Sequence, residues 1–159
     1  MKVLALLFSI LGLAVVGLSC VGCGRTILSS PIVNAAGFSD ANLSGGYAFA
    51  DSGETLGSPS TKFNEAGVLT FDGVGRFSGN STMNNGGRIC TATVTGTYRI
   101  NPDGSGSAMV TQTPDAASAA GGCTTVFFPA ALGLSGGGTQ VQFIEVSSSE
   151  ILIGSAFKQ

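Results

Sequence analysis

Residues 66–99 read AGVLTFDGVGRFSGNSTMNNGGRICTATVTGTYR, and this stretch decides the fold. Asp72-Gly73-Val74-Gly75 joins two alternating segments, and Asp103-Gly104-Ser105-Gly106 repeats the device further along. An Asp-Gly pair supplies the positive φ angles of a tight hairpin, so each is a strand-turn-strand signal. From Arg88 to Ile100 the alternation is cleanest. Ala92, Val94, Gly96, Tyr98 and Ile100 share one face, and Thr91, Thr93, Thr95, Thr97 and Arg99 share the other. That period of two marks a strand with one face in a core and one in water. Gly96 in mid-strand predicts a bulge or a tight bend.

Working outward, Ser44 to Asp51 alternates large and small, with Tyr47, Phe49 and Asp51 on one face and Ala48 and Ala50 on the other. Residues 52–60 read as a loop. Strands are expected over 66–71, 76–83, 106–113, 123–134, 140–147 and 150–158, with turns at Asn84-Asn85-Gly86-Gly87, Gly136-Gly137-Gly138 and Ser148-Ser149. Pro129 interrupts its segment and predicts an edge, a bulge or a strand end. Residues 114–122 are a polar, Ala-rich loop, and no segment reads as a convincing helix. The chain is therefore all-β: about eight strands in up-and-down order, forming a single antiparallel barrel, since closure removes exposed edges. A two-sheet sandwich is the second architecture. Such a barrel is filled by its own side chains or holds one small ligand.

The N-terminus is of a different kind. Lys2 and the apolar run Val3 to Leu18 predict an export signal over residues 1–23. Cys20-Val21-Gly22-Cys23 follows. Zinc would need a second such pair or histidines, and the chain has no histidine. A redox pair would open a helical unit that does not follow. The stretch resembles a bacterial lipoprotein processing site, with Cys23, or else Cys20, as the lipidated residue. Neither has Leu three residues before it, and ordinary cleavage near Ser19 is the rival. Residues 24–43 lack periodicity and read as a tether, and 44–159 as the barrel domain. Past Lys2, six basic residues face nine acidic ones, a net of −3. Such sparse, unclustered charge gives no surface for nucleic acid. It leaves the membrane to a lipid anchor alone. In an oxidising compartment Cys90 and Cys123, the two cysteines of the body, are expected to pair.

LSGGYAFADSG (43–53), AGVLTFDGVGRFSG (66–79), TGTYRINPDGSGSAMV (95–110) and the terminal GSAFKQ (154–159) resemble a group of exported bacterial proteins with an allene oxide cyclase barrel-like, lipocalin-like domain. The resemblance covers roughly residues 43–159 and implies an eight-stranded antiparallel barrel of the calycin kind. It rests on strand and turn spacing. No motif matches the cyclase's catalytic residues, so none is carried over, and Cys90 and Cys123 lie outside the pattern.

The absence of histidine excludes Ser-His-Asp and Cys-His catalysis. The Asp-Gly loops lack the closely spaced oxygen ligands of a calcium site, and the GxG spacings lack a strand-to-helix context. No metal and no cofactor is expected. Val94, Tyr98, Val141, Phe143 and Glu145 are the candidate interior residues for a ligand. Glu145 shares a face with Val141 and Phe143. Facing inward it needs a raised pKa or a cationic partner, Arg76 or Arg99; at a strand end it sits solvated on the rim. Asp51 is the one other inward acid in view. The small residues of the Gly-rich strands leave the interior partly open. These observations predict an exported, periplasmic or cell-surface barrel that binds a small apolar ligand without catalysis. The alternatives are a filled structural or surface-interaction module and, last, an isomerase or cyclase. Oligomeric state is not legible. Intact-mass measurement of the exported protein is expected to show added lipid, and Cys23→Ser is expected to move it to the soluble fraction; release by Cys20→Ser alone would reassign the anchor.

Overall fold

The computed structural model describes residues 37–159. The export signal, Cys20, Cys23 and tether residues 24–36 lie outside the described residues. The rest is a closed antiparallel barrel of eight strands in sequence order. They are β1 (Ser44–Thr55), β2 (Thr61–Asp72), β3 (Arg76–Asn85), β4 (Arg88–Ile100), β5 (Ser105–Pro114), β6 (Val126–Ser135), β7 (Gln140–Glu145) and β8 (Glu150–Lys158). β1 pairs with β8 from Tyr47↔Lys158 to Thr55↔Glu150 and so closes the ring.

The Asp-Gly turns form as read. Asp72 Oδ1 accepts from the N–H groups of Val74 (2.8 Å) and Arg76 (2.9 Å), and Gly73 takes φ 79°. The bonds from Arg76 and then Val74 hold this carboxyl below its usual range. Asp103 Oδ1 accepts from Ser105 N at 2.9 Å in the same way. β1 runs to Thr55, so the loop expected over 52–60 shrinks to 56–60. Residues 52–55 carry no apolar alternation, but their backbone pairs with β2 on one side and β8 on the other.

Gly96 makes no bulge. Its register is unbroken toward both Phe77 and Val110. A Cβ there would fall inside the Phe77 ring and the Met109 carbonyl. The same relation recurs around the interior: the Phe49 ring lies over Gly67, Phe63 over Gly53 and Phe143 over Gly154. Ring and glycine fill one another's space, as aromatic cover of strand glycines does. The inward glycines therefore leave much less room than their size alone implies. Pro129 pairs with Met109 on β5, and its carbonyl accepts from Val146 N just past the last β6–β7 pair, Ala130↔Glu145. Its missing N–H falls where that ladder has ended.

The lower end is closed by residues expected to be tether. Asp40–Asn42 form a 3-10 turn, and Leu43 is fully buried beside Tyr47. The Tyr98 hydroxyl shares its proton between the carbonyls of Asp40 (3.0 Å) and Leu43 (2.9 Å). Ile100 N–H donates to Asp40 Oδ1 at 2.7 Å, and the Tyr47 hydroxyl donates to the Gly138 carbonyl. Phe71 packs edge-on against Tyr47 and Tyr98, with ring centroids 5.1 and 5.3 Å away. Burying each such ring stabilises by roughly 1.5–3 kcal/mol.

The upper rim is held differently. Residues 115–125 carry one helical turn, α1 (Ala116–Ala120), where sequence gave only loop; Asp115 caps it by accepting from Ser118 N at 2.7 Å. Thr91 N–H donates to Ser118 Oγ, Arg88 donates to the Gly122 carbonyl, and Cys90 is bonded to Cys123 with Cα atoms 6.0 Å apart. That crosslink spans 33 residues and constrains the unfolded chain by about 4 kcal/mol in the entropy model. Gly96→Ala is expected to destabilise by about 1–3 kcal/mol through overpacking. Gly133→Ala, where a Cβ meets nothing within 4 Å, is expected to leave the urea midpoint unchanged or raise it.

Candidate functional site

Inward side chains divide the barrel into an apolar lower part and an acidic upper part. Between them lies a cavity of about 60 Å³ walled by Phe49, Leu69, Val94, Val141 and Phe143, with Asp51 and Gln112 as its polar members. A second, half-polar cavity of about 110 Å³ lies toward the upper rim, beneath Cys90 and Cys123, and is lined by Glu65, Ser81, Asn85, Arg88 and Gln112. Gln112 borders both cavities. Its Nε2 donates to Glu65 Oε1 at 3.0 Å and Oε2 at 2.8 Å, with both residues buried.

Asp51 and Glu65 face one another across the β1–β2 ladder, which puts their Cβ atoms roughly 5 Å apart. On the other side of β1 are Glu150 of β8 and Glu145 of β7. Asp51 is paired with Gly154 on β8, so Glu150, opposite Thr55, stands nearer the rim, and Glu145 is the second acid whose charge reaches Asp51. Burial, then the charges of Glu65 and Glu145, push Asp51 up to about 8. Glu150 is raised as well, by burial and then by its neighbour Glu145. All five basic residues of the described chain, Lys62, Arg76, Arg88, Arg99 and Lys158, are exposed.

Of the candidate interior residues, Val94, Val141 and Phe143 line the lower cavity. The Phe143 ring lies over Gly154, which Asp51 flanks as well. Tyr98 is buried, but its hydroxyl is engaged with the lower plug and does not face the cavity. Glu145 is at the end of β7, half-buried, with Oε1 accepting from the Ser147 hydroxyl. Neither expected cation reaches it, because Arg76 and Arg99 lie on the outer wall toward the opposite end.

Glu65, Gln112 and Ser81 escape the sequence reading. With β2 expected to start at Ala66, Glu65 fell outside it; the series Phe63, Glu65, Gly67, Leu69, Phe71 would have placed it inward. Gln112 continues the inward series Ala108, Val110. Ser81 is 4% exposed. Asp51 Oδ1, Ser81 Oγ and Glu145 Oε2 are buried without a hydrogen-bond partner among the described residues. Leaving such an atom unpaired costs about 1–3 kcal/mol. Among the described residues no three His, Cys, Asp or Glu side chains are grouped closely enough to hold a metal ion.

Because the folded chain keeps the Asp51 proton up to about pH 8 while the unfolded chain releases it near pH 4, the folded state binds more protons between those values. Stability contributed by this group is present below that window and is lost as pH rises through it, at up to about 1.4 kcal/mol per unit. Denaturant titrations from pH 4.5 to 8.5 are expected to show this fall, and Asp51→Asn is expected to flatten it. No family model, no curated protein and no solved structure matches the chain, so no residue role comes to it from a relative.

Proposed function

We propose that this chain is an exported, lipid-anchored barrel that binds one small molecule in its interior without catalysis. The observation that carries the reading is that Asp51 Oδ1 and Ser81 Oγ, one at each cavity, are buried without partners among the described residues in a barrel otherwise packed by rings over glycines. A barrel that only fills itself gains nothing from them, because apolar side chains of the same shape cost less. The guest expected from sequence was apolar. The polar margin of the cavity instead favours a short apolar body with a polar head that donates hydrogen bonds, since Asp51 and Gln112 stand at its upper edge. Size limits the body. A cavity that holds benzene is about 150 Å³, so about 60 Å³ favours a chain of a few carbons over a ring or a sugar. Export is supported by the Cys90–Cys123 crosslink, which persists in oxidising compartments. Anchoring rests on Cys23 or Cys20.

The test is a methyl-resolved NMR titration of the folded protein with 1-propanol. Saturable shifts at Val94 and Val141 are expected, and Val94→Phe, which fills the cavity, is expected to abolish them. A well-folded sample without saturable shifts would put the filled structural module in first place.

A further inference from the structure

We propose that the guest is a small organic cation, a primary alkylammonium, whose head lies at Asp51 between Glu65 and Glu145 and whose chain fills the cavity against Phe143; this rests on the interior-binding reading above. The charge distribution is the first support. Asp51, its ladder partner Glu65 and Glu145 share the upper lumen, Glu150 stands nearer the rim opposite Thr55, and of the basic residues of the described chain only Arg88 borders an interior cavity. Arg88, at the border of the upper cavity, donates to the Gly122 carbonyl. No basic residue lines the lower cavity beside Asp51.

The surroundings are those an ammonium uses. Phe143 and Asp51 flank the same glycine, Gly154, so an aromatic ring and a carboxyl stand side by side at the edge of the cavity. A cation beside a carboxylate and near a ring face gains from both. The carboxyls come from separate strands, and no three of them among the described residues are grouped closely enough for a metal ion, which favours a head with several N–H donors on a carbon chain over a bare metal ion. Ser81 supplies an independent sign of a ligand path. It is 4% exposed, its Oγ has no partner among the described residues, and with Glu65 it lines the polar cavity leading toward the rim. An acceptor there meets a passing donor.

The proton balance follows. Below about pH 8 Asp51 is protonated beside the charges of Glu65 and Glu145. Docking of R–NH₃⁺ displaces that proton to solvent, and the carboxylate pairs with the ammonium. Glu65 on β2 and Glu145 on β7 are the charged groups that face Asp51; Glu150 on β8 lies beside Glu145, and Arg88 on β4 borders the upper cavity with Glu65. The guest amine, with a pKa near that of lysine at about 10.4, stays charged throughout.

The experiment compares n-propylammonium chloride with 1-propanol on the full chain by NMR titration at pH 6, 7 and 8.5. The ammonium is expected to bind at least tenfold more tightly at pH 8.5, with affinity rising from pH 6 to 8.5, while propanol affinity stays flat. Asp51→Asn is expected to remove the pH dependence, and Glu65→Gln to narrow the ratio; Glu145→Gln serves where either variant does not fold. Propanol binding as tightly as the ammonium would overturn the cation and leave the interior-binding reading standing. Binding of neither would overturn both.

Discussion

The ladder between β1 and β8 is the constraint on which the other features depend. Without it the eight strands are an open meander with two bare edges, and β1 has one partner instead of two. With it, every inward side chain competes for the same narrow lumen, and few large residues fit on all strands at once. The chain resolves that competition locally. Where one strand brings a phenylalanine inward, the neighbour brings a glycine, at Phe49 and Gly67, Phe77 and Gly96, Phe143 and Gly154. The glycines are the space that the rings need.

Closure also separates the two ends physically. The lower end has Phe71 in contact with Tyr47, Phe77 and Tyr98, and two hydroxyls tie the 38–43 segment and the Gly136–Gly138 turn across the opening. The upper end sets carboxyls beside the buried Phe63 and Leu152, and there the covalent bond between Cys90 and Cys123 holds the 115–125 segment to the start of β4. A polar interior beneath a crosslinked rim is therefore one arrangement, in which the crosslink offsets what the acids cost.

The strand pattern was legible because it depends on neighbours in sequence. Asp72-Gly73 and Asp103-Gly104 fix their turns through bonds two residues long, and the Arg88–Ile100 alternation matches β4 end to end. Cys90 and Cys123 followed from compartment and count. What depends on closure was not legible. Asp40 and Leu43 have no periodicity and gain their partners only from Tyr98 and Ile100, some sixty residues away. Glu65 and Gln112 meet across the lumen from β2 and β5, strands that are not neighbours in the sheet. Gly96 looked like a bend because the ring above it comes from β3.

The same distinction bears on what the acids mean. Asp51 lies on the face of Tyr47 and Phe49, and taken alone it is a polar residue on the way out of a core. Next to Glu65 it becomes one of two acids buried side by side, and Glu145 adds a third charge around the ring. Three carboxyls that share a lumen resist being ionised together at neutral pH, and no basic residue lines the lower cavity beside Asp51. The proton on Asp51 is the least that electrostatics demands. On the proposed reading a guest with a positive head would replace that proton at the same place, with a carbon chain suited to the apolar wall beside it, so that the acidity of the upper barrel and the small cavity below it would be two halves of one recognition site.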